Sequence, residues 1–240
     1  MASTVPTRSP QPPPWMQRLA DRVRTVRAAE LSRFLPPDEG GRQSAVLMLF
    51  AEGPTGPDVL LIQRASTLRS HAGQPAFPGG TIDPTDDGPV GAALREAVEE
   101  VGLDPATVEV MATMPALYIP VTGFVVTPVL AWWHSPGPVA PVDTAEVAAV
   151  ERVPVAVLAE PACRLQVRHP SGWVGPAFDV HGLLVWGFTA GLLTSLLSLG
   201  GWERPWDPGL AVRELPPSTG TLPGAAAPVS LPAAGGEHEP

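Results

Sequence analysis

Three glutamates lie close together in the segment Arg95–Gly102, which reads REAVEEVG. On a helix, Glu96, Glu99 and Glu100 have the spacing i, i+3 and i+4, so their side chains share one face within a single turn. Such carboxylates repel one another, and Mg²⁺ or Mn²⁺ relieves the repulsion because carboxylate oxygens are preferred ligands of these cations. Arg95 precedes Glu99 by one turn and can orient it through a charge-assisted hydrogen bond. The segment predicts either a metal site or a solvated acidic helix face.

A glycine-containing loop comes just before these glutamates and favours the metal site. Residues 77–80 read FPGG, and TIDPTDD follows them. A glycine pair lets the backbone pass close to a bound ion or phosphate at a point where a Cβ atom would intrude.

The loop and the glutamates together resemble the signature of the Nudix hydrolases, G-x5-E-x7-R-E-U-x-E-E-x-G-U, in which U is a bulky apolar residue. The matching residues are Arg95, Glu96, Glu99, Glu100, Gly102 and Leu103. Three features differ from the signature. Ala97 is small where U is expected, Asp86 or Asp87 replaces the first glutamate, and Gly80 precedes Arg95 by 15 positions instead of 14.

The longer, aspartate-rich loop resembles the coenzyme A pyrophosphatase branch of this family. That branch has an upstream signature, L-L-x2-R-[SA]-x3-R-x3-G-x3-F-P-G-G, and residues 60–80 match it at every fixed position. The EV…VP segment at residues 146–154 and the WGFTA segment at residues 186–190 are also similar to the branch. The resemblance covers residues 44–199.

The resemblance implies a metal-dependent hydrolase acting on phosphorus-containing acid anhydrides. Glu96 and Glu100 would hold Mg²⁺ or Mn²⁺, with Glu99 and the carbonyl group of Gly80 as further ligands. The implied reaction cleaves coenzyme A to 4′-phosphopantetheine and adenosine 3′,5′-bisphosphate. Two alternatives stay open: a Nudix pyrophosphatase for ADP-ribose, a dinucleotide or a nucleoside diphosphate derivative, and a non-catalytic Nudix-fold binding module.

One carboxylate must accept a proton from the attacking water. Glu99, oriented by Arg95, is the first choice as this catalytic base, and Glu146 in a downstream loop is the second. Arg64, Arg69 and His71 precede the glycine pair and are the candidate substrate-binding residues, because a coenzyme A polyanion needs local positive charge.

The composition limits the other possibilities. The chain has 240 residues, enough for one ordinary domain, and 24 acidic against 15 basic residues give a net charge of −9. That charge argues against nucleic-acid partners. The single cysteine, Cys163, excludes an internal disulfide and favours the cytosol. The uncharged stretch 181–201 is short for a membrane span, so we expect a buried helix there. The sequence leaves the oligomeric state open.

The pattern along the chain predicts an α+β domain, and the resemblance makes it an α-β-α sandwich with a mixed β-sheet between helices. We expect a disordered proline-rich N-terminus over residues 1–14, a Nudix domain over 15–202 and a disordered tail rich in proline, glycine and alanine over 203–240. The predicted helices cover residues 15–35, 89–101, 153–158 and a segment after 185. The predicted strands cover residues 44–51 and 58–63 as a hairpin, then 108–114, 124–133, 164–168 and 173–180.

Overall fold

The structure is a computed structural model that describes residues 10–68, 71–209 and 212–216. The α-helices are α1 (Pro14–Thr25), α2 (Ala28–Leu31), α3 (Gly88–Val101), α4 (Val155–Leu158) and α5 (Gly187–Gly200). The strands are β1 (Arg42–Gly53), β2 (Gly56–Arg64), β3 (Pro75–Ala76), β4 (Gly79–Thr81), β5 (Val108–Thr113), β6 (Leu117–Ile119), β7 (Phe124–Trp133), β8 (Val147–Pro154), β9 (Arg164–Arg168), β10 (Val174–Val180), β11 (Leu183–Trp186) and β12 (Val212–Glu214).

The larger sheet has eight strands and combines parallel with antiparallel pairs. β1 and β2 form the predicted hairpin and pair near their turn. Away from the turn they separate, and β4 pairs with β1 while β3 pairs with β2. β1 also runs parallel to β7. The sheet is therefore mixed, as predicted, and its split places the glycine pair of β4 opposite Ala45 and Val46 of β1.

Helices cover both faces of this sheet. Alternate residues of β1 point to opposite faces, as strand geometry requires. Met48 and Phe50 pack in a core with α1 and α5, whereas Leu47 and Leu49 pack in a second core with α3. This arrangement confirms the predicted α-β-α sandwich and places α3 on a face of its own.

A smaller four-stranded sheet has the order β11-β10-β9-β12 and packs against α5. β12 lies in the segment that was predicted to be a disordered tail. In the same segment, Glu203 forms an ion pair with Arg164, whose side chain is only 2% exposed, and Leu215 is buried. The folded part of the chain therefore continues beyond residue 202. Glu203 belongs to it because the buried charge of Arg164 requires a partner. Residues 1–9, 210–211 and 217–240 of the two predicted tails lie outside the described residues, and Pro14, predicted to end the N-terminal tail, begins α1.

The observed helices correct two predicted boundaries. The helix predicted over residues 15–35 is two helices, since Val26 has an extended backbone and α2 begins after Arg27, whose backbone N–H donates to the Glu30 carboxylate at 2.8 Å. The helix predicted over 153–158 begins at Val155, because residues 147–154 pair with β2 as β8. Within the described ranges, no helix has both the length and the apolar character that a membrane crossing requires.

Candidate active site

α3 packs small apolar residues against the sheet, whereas Glu96 and Glu100 face the glycine pair of β4 and Glu99 is exposed. Ala92, Ala93 and Ala97 are fully buried against the sheet. Ala97, the small residue that departs from the Nudix signature, is thus a packing residue. The helix ends at Gly102, whose φ of 69° is the left-handed conformation expected of a glycine C-terminal cap.

Glu100 is the most buried of the three glutamates, with 7% of the residue exposed. Its Oε2 atom accepts a hydrogen bond from the backbone N–H of Gly79 at 3.0 Å, which joins the helix to the glycine pair. Burial raises the pKa of Glu100 to about 7, and the nearby charges of Glu96 and Glu146 act in the same direction. The Gly79 hydrogen bond and the charge of Arg64 lower the same pKa but do not outweigh burial. A nearby cation would therefore stabilise the charged form of Glu100.

Glu96 lies directly against Gly80. A Cβ atom built on Gly80 would be 2.2 Å from Oε1 of Glu96, so only glycine leaves space for this carboxylate in its present position. Burial raises the pKa of Glu96 as well. The carbonyl oxygen of Gly80 accepts a hydrogen bond from the Ser44 hydroxyl at 2.6 Å. Glu96, Glu100 and the glycine pair thus form one cradle between α3 and β4.

Arg95 connects this cradle to the preceding loop. Its Nε and Nη2 atoms donate to the two carboxylate oxygens of Asp86 at 2.9 and 3.0 Å. Its Nη1 atom donates to Glu96 and to Glu99, both at 3.0 Å, and Nη2 also reaches the carbonyl oxygen of Thr81. The predicted contact between Arg95 and Glu99 is therefore present, with the Glu99 side chain 57% exposed.

The structure also distinguishes the two aspartates that replace the first signature glutamate. The Asp86 side chain is only 5% exposed and pairs with Arg95, which lowers its pKa. Asp87 precedes α3 and makes no capping hydrogen bond with its side chain. Of the two aspartates that the sequence offered for this position, Asp86 is therefore the one that contacts Arg95.

The donor set at the cradle fits a partly hydrated divalent cation. In the described part of the chain, no three His, Cys, Asp or Glu side chains converge into a ready-made metal cage. Arg95 holds oxygens of Glu96 and Glu99, and Gly79 holds Glu100. Mg²⁺ usually keeps several waters and uses one or two protein carboxylates. Glu96 and Glu100, which both lie against the glycine pair, supply two such carboxylates.

The three candidate substrate-binding residues have different positions. Arg64 ends β2 and is half-buried, and its charge acts on Glu100. Its Nε atom is buried and has no hydrogen-bond partner among the described residues. His71 is exposed, has a φ of 55° and lies within hydrogen-bond distance of Gln74, as expected of a turn residue. Arg69 lies outside the described residues.

Ser44 is a site residue that the sequence reasoning missed. Its hydroxyl reaches Gly80 only because β1 and β4 pair with Ala45 opposite Gly80. A serine at the start of an apolar strand carries no local signal of that contact. The pairing of two strands 36 residues apart decides it.

Comparisons with known proteins agree with this geometry. A family model described as the NUDIX domain matches residues 41–170. A protein of Cronobacter sakazakii named uncharacterized Nudix hydrolase NudL is 41% identical over 179 residues, which cover 68% of this chain and 85% of that protein. The protein of the same name from Klebsiella pneumoniae strain 342 is 40% identical over 175 residues, covering 65% and 81%. This chain therefore belongs to the Nudix hydrolase family, whose members act on pyrophosphate bonds and generally use divalent metals.

Among solved structures, a Nudix hydrolase from M. smegmatis, RenU, is similar over 70% of this chain and 91% of its own. Its sequence identity is 24% and its TM-score is 0.49.

Replacing Gly80 with alanine should lower kcat by about 10- to 100-fold, because the new methyl group displaces the Glu96 carboxylate. The backbone of Gly80 suits alanine, and Glu96 is a flexible side chain, so the free energy of unfolding should change by less than about 1 kcal/mol. Steady-state kinetics and urea unfolding measure the two quantities. The control is Gly91→Ala on α3, where the nearest atom to a new Cβ is at an ordinary 3.4 Å. If Gly80→Ala has the same kcat as Gly91→Ala, the position of the Glu96 carboxylate does not affect catalysis.

The stability of the metal-free protein should depend on pH through Glu100. Its pKa of about 7 exceeds the ordinary value of 4.5, so the folded state binds this proton more tightly than the unfolded state does. The contribution to the free energy of unfolding is therefore full below about pH 4.5, falls as the pH rises toward 7 and is lost above it. The expected loss is on the order of 3 kcal/mol. Urea unfolding of the wild type and of Glu100→Gln in EDTA, at pH 5 and pH 8, measures this loss. If the free energies of unfolding of the two proteins change equally with pH, the prediction is wrong.

Proposed function

We propose that this protein is a Mg²⁺- or Mn²⁺-dependent pyrophosphatase that hydrolyses coenzyme A, or a derivative of it, to 4′-phosphopantetheine and adenosine 3′,5′-bisphosphate. The observation that carries the proposal is the Nε atom of Arg64, which is buried near Glu100 and has no hydrogen-bond partner within residues 10–68, 71–209 and 212–216. A buried donor without a partner costs about 1–3 kcal/mol, and a phosphate oxygen would satisfy it with a charge-assisted hydrogen bond. Arg64 is also a fixed position of the upstream signature that resembles the coenzyme A branch.

The metal would be held by Glu96 and Glu100, with Glu99 and the carbonyl group of Gly80 as further ligands. When bound, it would screen the pyrophosphate oxygens and lower the pKa of the attacking water. The Gly79 hydrogen bond keeps Glu100 in place while Arg95 keeps Glu96 in place. These contacts support a cradle that needs little rearrangement on binding the ion.

The proton from water would pass to a carboxylate that is accessible to the substrate. Glu99 is exposed and is held by Arg95 through one oxygen, which leaves its other oxygen for the water. Glu146 is also exposed, and its charge acts on Glu100. Glu99 remains the first choice, and the single variants Glu99→Gln and Glu146→Gln separate the two by the loss of kcat that each causes.

The decisive experiment incubates the full chain with coenzyme A and Mg²⁺ or Mn²⁺ and separates the products by chromatography. We expect 4′-phosphopantetheine and adenosine 3′,5′-bisphosphate in equal amounts, and no cleavage in excess EDTA. Parallel reactions contain ADP-ribose, a dinucleotide and a nucleoside diphosphate sugar. A higher kcat/KM for one of these would overturn the substrate assignment and keep the pyrophosphatase. The absence of cleavage of any of them would favour a binding module.

Arg64→Ala provides a second test of the same proposal. The variant should raise the KM for coenzyme A because it removes the donor that faces the phosphate groups. Arg168→Ala is the control, since Arg168 is exposed on β9 and pairs with Glu214. An unchanged KM in Arg64→Ala would remove the main support for the proposal.

A further inference from the structure

The loop between β7 and β8 is attached to the end of α3. The N–H group of Val142 donates to the carbonyl oxygen of Glu100 at 3.1 Å, and that of Ala140 donates to Val101 at 3.2 Å. The last carbonyl groups of a helix have no partner inside the helix, so these two contacts satisfy them. The loop is thereby held to the same turn that carries Glu100.

The other end of this loop is attached to β2 beside Arg64. The N–H group of Ala65 donates to the carbonyl oxygen of Glu146 at 2.8 Å. The register between β2 and β8 shifts at Gln63 and Arg64, so that Arg64 pairs with Val147. A bulge of this kind redirects the neighbouring side chains and is frequent next to active sites. Glu146 is therefore fixed beside the substrate-binding arginine.

Asp143 forms the turn that lies between these two attachments. Its Oδ1 atom accepts a hydrogen bond from the N–H group of Ala145 at 2.8 Å. Its carbonyl oxygen accepts from the N–H groups of Glu146 at 3.1 Å and Val147 at 2.9 Å. An aspartate that binds the backbone two residues ahead stabilises one turn conformation against the others. The direction in which the chain delivers Glu146 thus depends on this side chain.

We infer that Asp143 is a positioning residue of the proposed site, which holds the turn that directs Glu146 toward the space between Glu100 and Arg64. The inference rests on the proposed function and also requires that Glu146, the second candidate base, contributes to hydrolysis alongside or in place of Glu99. Asp143 acts only through Glu146, since within the described residues its side chain has no hydrogen bond or ion pair with the carboxylates of α3. The negative charge of Glu146 acts on Glu100, which agrees with a Glu146 side chain directed toward this space.

The test compares Asp143→Ala with Asp143→Asn, using coenzyme A or the best substrate of the nucleotide panel. Alanine removes the acceptor, so kcat should fall about 10-fold while KM changes less than about 2-fold. Asparagine keeps an oxygen at the same place and should restore kcat to within about 2-fold of the wild type. Asp104→Ala is the matched control, because Asp104 accepts the Ala106 N–H at 3.0 Å in a similar turn elsewhere.

A double-mutant cycle separates positioning from a general effect on structure. If Asp143 acts through Glu146, then Asp143→Ala should cause no further loss of kcat in the Glu146→Gln background. The inference is overturned by full kcat in Asp143→Ala or in Glu146→Gln, by equal damage in Asp143→Asn and Asp143→Ala, or by additive losses in the double variant. If the wild-type protein cleaves no nucleotide, the proposed function and this inference are both overturned. If the wild type is active and Asp143→Ala has the same kcat, the inference alone is overturned.

Discussion

Replacing Glu100 with glutamine should lower metal-dependent kcat by about 1,000-fold. Glu100 is the buried carboxylate of the cradle, and an amide cannot supply the negative charge that a divalent cation needs. Mn²⁺ affinity, measured by isothermal titration calorimetry, should fall together with kcat. Retention of near wild-type kcat would remove Glu100 from the proposed metal site.

The same substitution should leave the fold intact. The glutamine oxygen can still accept the Gly79 N–H, and the uncharged amide avoids the cost of burying a carboxylate. In EDTA at pH 8, the free energy of unfolding of Glu100→Gln should equal or exceed that of the wild type. Glu109→Gln on β5 is the control, because it removes one exposed negative charge from a strand that carries none of the candidate site residues. A loss of kcat in the control would show that net charge, and not the site, governs activity.

Replacing Arg95 with lysine should lower kcat by about 100-fold, although the charge is retained. Arg95 uses its planar fork to hold Asp86 through two atoms while a third atom holds Glu96 and Glu99. A lysine has one nitrogen and cannot occupy these positions simultaneously. The carboxylates should then lose their alignment, which steady-state kinetics measures as a fall in kcat.

The control for this substitution is Arg152→Lys. Arg152 holds Asp58 through Nε and Nη2 at 3.1 and 2.7 Å, which is the same two-point geometry, but it joins β8 to the β1–β2 hairpin. Arg152→Lys should lower stability and leave kcat within about 2-fold. If the two variants lose the same fraction of kcat, the effect of Arg95 is a general one on the fold.

The sequence by itself determined the features that are local along the chain. The spacing of Glu96, Glu99 and Glu100 placed them on one helix face, because helix geometry relates residues three and four apart. Gly102 ended that helix as expected, and long apolar runs predicted β7 at its observed bounds. The signature residues also predicted the family, which the matched domain confirms.

The strands that the sequence did not predict are mostly short. β3, β4 and β6 have two or three residues each, too few to show an alternating pattern. β12 lies in a proline-rich stretch that looked like a tail, and it exists because it pairs with β9. Such strands form because a neighbouring edge offers hydrogen bonds, which no local pattern records.

Only the tertiary structure decided the environment of each site residue. It selected Asp86 over Asp87 as the partner of Arg95 and buried Glu100 enough to raise its pKa. It also left the Nε atom of Arg64 without a partner in the part of the chain that the structure describes. It also attached the loop of Glu146 to the end of α3. Each of these results depends on contacts between segments that are distant in the chain. Spacing within one helix determines which carboxylates are neighbours, but burial and charge depend on what the rest of the fold packs around them.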